Sequence, residues 1–209
     1  KKRLQVSNFK LNSLLEITQA INENLSVENL LDRYKKILTE DLEIGKILIV
    51  KQDGNDWKCI LNAGFPDGFC NSLDVNTHLL HVTEITFISV IPDKFSKEVD
   101  IIIPVIHKDV PVAYVLIGDI DDEAEGVSPI IKHLRFIQTI SNIIIVAIEN
   151  IRLNNENLRQ AAMKKELELA SKMQSMLIPD RAILPHNDKI LVSTFYHPHF
   201  DVGGDYYDF

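Results

Sequence analysis

The sequence predicts an α+β fold, in which an antiparallel sheet packs against helices and one long helix follows. Three observations lead to this prediction. Apolar residues recur at three- and four-residue steps near the N-terminus. Short β-branched runs then alternate with turn residues, and residues 128–177 contain a single proline and no glycine. Such an order of elements is typical of helices packed on a sheet, with a further helix leaving it.

Two helices are predicted first. Residues 8–21 carry apolar side chains on one helical face. Ser26 stands where a helix N-cap belongs, because its hydroxyl can accept a hydrogen bond from the following turn. A second helix is therefore expected over roughly residues 27–41.

Five strands are predicted next. Ile47–Val50 is short and β-branched, Asp53–Asn55 has turn chemistry, and residues 57–61 are apolar again, which indicates a hairpin. Residues 63–83 are predicted to form a loop with about one helical turn, because glycine, proline and polar residues are frequent there. The remaining strands are expected at residues 84–90, 100–107 and 111–120, with a tight connection at 108–111.

This element order resembles the GAF family of small-molecule sensor domains. The hairpin of residues 101–118 is similar to the central hairpin of that family, and the resemblance covers about residues 6–150. A PAS-type sensor is the alternative, and two helices ahead of the first strand favour GAF. The resemblance implies a sensor domain with a pocket between the sheet and the 63–83 loop, which holds a small molecule or nothing.

Residues 128–178 are expected to form a signalling helix with coiled-coil character. Proline at the first helical position gives up only an amide that would be unpaired anyway, and about 50 residues at about 1.5 Å each extend roughly 75 Å. A seven-residue apolar repeat indicates a parallel two-chain coil and hence a homodimer; its members are Ile137, Ile144, Ile151 and Leu158. Over residues 130–151 the same face is also expected to pack on the chain's own sheet. Beyond Lys165 the apolar register changes.

The C-terminal residues carry the most specific pattern. Ala170, Gln174, Leu177 and Pro179 form an Ala-x-x-x-Gln-x-x-Leu-x-Pro helix end, and residues 202–208 read Val-Gly-Gly-Asp-Tyr-Tyr-Asp. Together these motifs resemble the entry to bacterial type-2C (PPM) serine phosphatases of the sporulation and sigma-factor-control group. His199 departs from the alanine that this family commonly has there.

The resemblance implies metal-dependent chemistry. In the complete catalytic domain two manganese or magnesium ions would activate a water for attack on phosphoserine. Asp205 would be one metal ligand; Asp208 is a weaker candidate, because three residues along a strand it points to the opposite face. The other catalytic residues are expected beyond Phe209. Residues 179–209 would be the truncated N-terminal edge of this domain, too short to bury a core, so the 209-residue chain is expected to be inactive.

The predicted function is therefore the sensory and dimerisation part of a protein-serine/threonine phosphatase. By resemblance, its substrate would be a phosphorylated anti-sigma antagonist. The alternative is a non-enzymatic GAF sensor and dimerisation module that binds a small ligand or a protein partner. A diguanylate cyclase, whose Gly-Gly-Asp-Glu-Phe loop is superficially similar to residues 203–207, is disfavoured because Tyr206 replaces the glutamate.

Composition excludes several classes of partner. The formal net charge of −8 disfavours nucleic acid, because phosphate binding needs a clustered positive face. The longest strongly apolar run, residues 143–148, is far shorter than the roughly 20 residues that span a bilayer. The basic N-terminal residues lack the apolar stretch of a secretory signal. A cytoplasmic protein without a membrane span is predicted.

Other residues with functional potential give weak patterns. Cys59 and Cys70, the only cysteines, match neither zinc nor disulfide spacing, and reduced, unreactive thiols are expected. His197 and His199 would share one face of a strand and are weak metal candidates. The remaining histidines lack ligand spacing: His78, His81, His107 and His133.

Three known sensor ligands find little support. Lys94 and Phe95 fit part of a cyclic-nucleotide signature, but the acidic spacing is missing. Bilin attachment uses a Cys-His pair, whereas Asn71 follows Cys70. Haem would need an axial ligand, for which only His78 or His81 is available in the loop.

Overall fold

A computed structural model describes residues 2–88, 97–120, 129–179, 184–198 and 201–205. These residues divide into two compact units, Lys1–Ile151 and Arg152–Phe209. The helices are α1 (Lys2–Asn22), α2 (Val27–Lys36), α3 (Phe69–Ser72), α4 (Val75–His78) and α5 (Leu134–Leu177), with a π-helical turn at Ile37–Asp41 and a 3-10 turn at Pro129–His133. The strands are β1 (Lys46–Asp53), β2 (Asp56–Ala63), β3 (Thr86–Phe87), β4 (Ile101–His107), β5 (Val110–Gly118), β6 (His186–Asn187) and β7 (Ile190–Leu191).

The first unit is built on a five-stranded antiparallel sheet with strand order β2-β1-β5-β4-β3. The predicted α+β class and the two predicted hairpins are thereby confirmed. The predicted strand 84–90 is shorter, because only Thr86 and Phe87 pair with β4, and residues 89 and 90 lie outside the described ranges. The 63–83 loop contains two single-turn helices, α3 and α4, where about one turn was expected.

Both faces of this sheet are buried. Ile47 and Ile49 of β1 face a core shared with α1, α2 and α5. Leu48 and Val50 face a second core under the segment from Phe65 to Ile88. Because side chains alternate across a strand, a strand covered on both sides needs apolar residues at every position. This explains the continuous apolar run of β1.

Helix α2 is capped at its N-terminus and bonded to α5 near its C-terminus. The hydroxyl of Ser26 accepts a hydrogen bond from the Asn29 amide at 3.3 Å, as an N-cap does. Tyr34 is fully buried, and its hydroxyl lies 2.7 Å from Oγ of Ser141. The predicted second helix is confirmed as α2 with its π-helical continuation to Asp41.

The first part of α5 is a core helix. Ile137, Ile144 and Ile148 are buried within the first unit, so the predicted heptad face packs on the chain's own sheet up to about Ile151. Lys51 of β1 is also buried here and forms a 2.7 Å ion pair with Glu149. Helix Ile130–Leu177 contains an 18-residue window with a mean hydropathy of 1.3, of which half is buried in the chain, the pattern of a core helix.

The second unit contains the rest of α5 and a short hairpin. In the turn between β6 and β7, Oδ1 of Asn187 accepts hydrogen bonds from the amides of Lys189 and Ile190, both at 2.9 Å. Residues 201–205 form bends, whereas a strand was expected from residue 202. A strand needs a hydrogen-bonded neighbour, and none of the described residues pairs with this segment.

Candidate functional site

A cavity of about 580 Å³ opens on the sheet face opposite to the long helix. Its walls come from β2 and from the α3–α4 segment, close to where the sequence predicted a pocket. The lining residues are Val50, Asn55, Asp56, Trp57, Lys58, Cys59, Cys70, Asn71, Leu73, Asp74, Val75 and Asn76. Half of these residues are polar or charged, so the cavity suits an occupant that forms hydrogen bonds.

Asp74 orders one wall of this cavity. It caps α4, and its carboxylate accepts hydrogen bonds from the Asn76 amide at 3.0 Å and from the Thr77 hydroxyl at 2.5 Å. The Thr77 hydroxyl, followed by the two backbone amides, lowers the pKa of the Asp74 carboxyl. Asp74 is therefore a fixed anion at neutral pH.

Strand β2 contributes an indole to the cavity. Lys58 forms an ion pair with Asp53, and this hydrogen bond raises the pKa of Lys58. The Trp57 ring lies 5.5 Å from that of Tyr114, centroid to centroid. The cavity thus offers an anion and an aromatic surface, whereas Lys58, paired with Lys51 in the sheet, lies on the opposite face.

Tyr114 is the notable polar residue beneath the cavity. It is fully buried among the apolar residues of the second core. Its hydroxyl has no hydrogen-bond partner among the residues that the structure describes. Burial raises the pKa of Tyr114. A buried hydroxyl without a partner costs stability, and Tyr114 is not among the residues that line the cavity.

The structure brings Cys59 and Cys70 together in the cavity wall. Cys59 lies on β2, paired with Val50, and therefore on the cavity face of the sheet. Cys70 lies on α3 and packs against the core on the same face. Spacing in the sequence did not indicate this proximity, because it depends on the strand register and on the path of the loop.

A second candidate site joins the two C-terminal motifs. The Gln174 side chain donates from Nε2 to the Gly203 carbonyl at 2.6 Å and accepts at Oε1 from the Gly203 amide at 2.8 Å. A side chain at position 203 would collide with the Tyr196 hydroxyl and would press on Pro198. Glycine therefore lets the backbone approach Gln174 without displacing the Tyr196 side chain.

Asp205 follows this clamp by two residues and is exposed. No group of three or more histidine, cysteine, aspartate or glutamate side chains could hold a metal within the ranges that the structure describes. The described donors therefore do not make a metal site, and Asp205 stays a predicted ligand. Asp208 lies outside the described residues, as do His199, Lys94 and Phe95.

The other histidines are scattered. His197 is exposed in the second unit, and its ring lies 6.3 Å from that of Phe195. His107 is exposed at the end of β4, and His78 closes α4 beside the cavity. Burial, followed by the charges of Lys10 and Lys132, lowers the pKa of His133.

Comparison with known proteins gives a structural result only. No family model matches the sequence, and no curated protein matches it significantly. The structure is similar to the GAF domain of the Acinetobacter phosphoenolpyruvate-protein phosphotransferase, with a TM-score of 0.52, 14% identity, and coverage of 70% of this chain and 96% of the other. The GAF domain of the corresponding Coxiella burnetii protein gives a TM-score of 0.53, 16% identity, and coverage of 70% and 96%. A GAF domain from Pseudomonas syringae pv. tomato gives 0.54, 13% identity, and coverage of 76% and 97%.

These similarities cover 70–76% of the chain, which is about the length of the segment that resembles a sensor domain. The neighbours are matched over nearly their whole length, at identities that show a shared fold. The antiparallel sheet, the flanking helices and the cavity beside β2 agree with this result. The chain therefore contains a domain with the GAF fold.

Proposed function

We propose that this chain is the sensory and dimerisation part of a metal-dependent protein serine phosphatase. The observation that supports the proposal is the pair of hydrogen bonds between Gln174 and Gly203. These residues belong to the two motifs that resemble the entry to PPM phosphatases. Their direct contact gives the paired motifs a common structural purpose.

The clamp ties the backbone ahead of Asp205 to the end of α5. Each hydrogen bond contributes on the order of 1 kcal/mol, and together they fix both polar groups of one peptide residue. Gly203 cannot move away from the helix without leaving its amide and carbonyl to find other partners. In the proposed enzyme, a shift of the helix end therefore shifts the segment that carries the metal ligand Asp205.

The catalytic centre itself needs more donors than the described residues supply. When bound, two manganese or magnesium ions would supply a metal-activated water for hydrolysis of phosphoserine. The proposed substrate is a phosphorylated anti-sigma antagonist, as in the resembling group, and the proposed location is the cytoplasm. The 209-residue chain alone is expected to be inactive.

The proposed dimer uses the part of α5 in the second unit. Beyond Ile151 the apolar side chains of this helix are largely exposed, among them Leu158 at 61% and Met173 at 66%. Leu158 continues the seven-residue repeat of Ile144 and Ile151, and an exposed apolar residue at such a position is typical of a coiled-coil seam. The proposed homodimer through residues 128–178 therefore depends mainly on the residues after 151.

Matched substitutions test this dimer. Leu158→Asp places a charge in the seam, whereas Leu153→Asp places the same charge two residues after the seam position Ile151 on an exposed leucine of the same helix. Light scattering should give twice the chain mass of 23.8 kDa for the wild type and Leu153→Asp, and a single chain mass for Leu158→Asp. A wild-type monomer at micromolar concentration would contradict the dimer.

The phosphatase proposal is tested in the longer protein that continues this sequence past Phe209. Manganese-dependent release of phosphate from a phosphoserine protein is expected there, and Asp205→Asn should abolish it. Gln174→Glu should lower it strongly, because a carboxylate oxygen would face the Gly203 carbonyl. Gln160→Glu, at an exposed position of the same helix, makes the same change of charge and should leave it intact. Full activity of Gln174→Glu would refute the role of the clamp.

A second candidate is a non-enzymatic GAF sensor and dimerisation module. The polar cavity beside β2 favours this function, since it exists within the first unit alone. The continuation of the sequence discriminates the two candidates. If it lacks further aspartates in Asp-Gly turns and the longer protein releases no phosphate, the sensor module remains.

A further inference from the structure

The two cysteines of the chain lie in the wall of one cavity. Cys59 belongs to β2 and Cys70 to α3, both line the same cavity, and the two thiols lie close enough to interact. Cys59 is exposed and Cys70 is half-buried, so an oxidant in solution can reach the pair.

We propose that Cys59 and Cys70 form a reversible intramolecular disulfide in the cavity wall when the protein meets a peroxide. This inference goes beyond the proposed function, and it does not depend on a phosphatase. A chemically reactive pair in the wall of the sensor cavity would make the oxidation state of the surroundings an input of the domain.

The environment of each thiol sets the order of the steps. Partial burial of its sulfur, followed by the interaction with Cys70, raises the pKa of Cys59. Since the thiolate is the nucleophile, this shift disfavours an attack by Cys59 on the peroxide, which leaves the first attack to Cys70.

The chemistry balances with one peroxide per chain. The Cys70 thiolate attacks one peroxide oxygen, the O–O bond breaks, and Cys70 becomes a sulfenic acid while hydroxide leaves and takes up the proton lost by the thiol. The Cys59 sulfur then attacks the Cys70 sulfur, and its proton leaves with the sulfenic hydroxyl as water. Two thiols and one hydrogen peroxide yield one disulfide and two waters.

The bond would close a short loop between β2 and α3. Residues 60–69 would lie within the closed loop, which contains the β2 end and the turn at Pro66. Trp57, the only tryptophan of the chain, lines the same cavity. Its fluorescence is therefore a built-in reporter of the bond, since a nearby disulfide quenches indole emission.

The test uses the 209-residue chain and hydrogen peroxide. The thiol titre should fall from two to zero per chain, the mass should fall by two hydrogens, and peptide mapping should find the 59–70 crosslink within a single chain. Trp57 emission should fall and recover with a dithiol reductant. Cys59→Ser and Cys70→Ser should each abolish the fluorescence change, with circular dichroism confirming that both variants fold.

The single-cysteine variants also test the order of attack. With a sulfenic-acid trap, Cys59→Ser should label at Cys70, and Cys70→Ser should label more slowly, because burial disfavours the Cys59 thiolate. Faster labelling of Cys59 would overturn this order. Crosslinks only between chains, or separate sulfinic acids on both cysteines of the wild type without a crosslink, would overturn the disulfide.

Discussion

The buried hydrogen bond between Tyr34 and Ser141 allows a sharp test of the first unit. The Ser141 hydroxyl donates to the Ile137 carbonyl at 2.6 Å, so Tyr34 is the donor to Ser141 Oγ at 2.7 Å. Both residues are fully buried, and burial raises the pKa of Tyr34 above its ordinary value. No water can replace a lost partner at this position.

The two single substitutions differ in what they leave behind. Tyr34→Phe removes the donor, while Ser141 keeps its hydrogen bond to the Ile137 carbonyl. The free energy of unfolding should therefore fall by about 1 kcal/mol. Ser141→Ala leaves the Tyr34 hydroxyl buried without a partner and costs about 1–3 kcal/mol, less about 0.5 kcal/mol for the higher helix propensity of alanine. The double variant buries no unpaired group and should be less destabilised than the sum of the singles by about 1–2 kcal/mol.

Urea denaturation, followed by far-ultraviolet circular dichroism, measures these differences. Thr139→Ala is the matched control, because Thr139 donates to the carbonyl four residues earlier, as Ser141 does, but is exposed. This control should change the free energy of unfolding by less than about 0.5 kcal/mol. Additive effects of Tyr34→Phe and Ser141→Ala, within about 0.3 kcal/mol, would refute the coupling.

Three further predictions concern other buried groups. Glu149→Gln should lower the free energy of unfolding by about 1–2 kcal/mol, because it leaves the buried Lys51 cation without its anion. Lys51→Met should leave the free energy of unfolding nearly unchanged. Equal losses for the two variants in urea denaturation would contradict this prediction. Tyr114→Phe should stabilise the unliganded chain by about 1 kcal/mol in the same assay, because it removes a buried hydroxyl that has no described partner; destabilisation would show that the hydroxyl is used. The folded-state pKa of His133 is lowered, so the unfolded chain takes up the proton first, and stability should fall as the pH drops below 6.5, the ordinary value. His133→Gln should flatten this slope, and the exposed His107→Gln should not.

Local sequence patterns predicted much of the secondary structure of the first unit. The N-cap at Ser26, the hairpin of β1 and β2, and the tight turn between β4 and β5 depend on a few neighbouring residues, and all three appear as expected. The length of β3 was wrong because a strand ends where its neighbour stops pairing, which no local pattern records. The bends at residues 201–205 have the same cause.

In the candidate sites, too, the sequence identified single residues but not the contacts between them. Gln174 and Gly203 were each singled out by the sequence, but their mutual contact depends on how the chain returns to the helix over nearly thirty residues. Cys59 and Cys70 were expected to be inert, because their spacing carries no pattern; the register of β2 and the packing of α3 put them side by side. The sequence predicted a pocket between the sheet and the 63–83 loop, and the observed cavity lies between β2 and the α3–α4 part of that loop.

The sequence by itself determined the α+β class, the element order and the long helix, because these follow from the periodicity of apolar residues and from turn chemistry. Only the tertiary structure decided which side of α5 is used within the chain, since Ile137, Ile144 and Ile148 suit a coiled coil and a sheet core equally well. The free energy gained by burying an apolar side chain does not depend on the orientation or identity of the apolar surface that covers it. The partner of an apolar face is therefore settled by the elements that fold beside it, and on α5 that partner is the sheet up to Ile151.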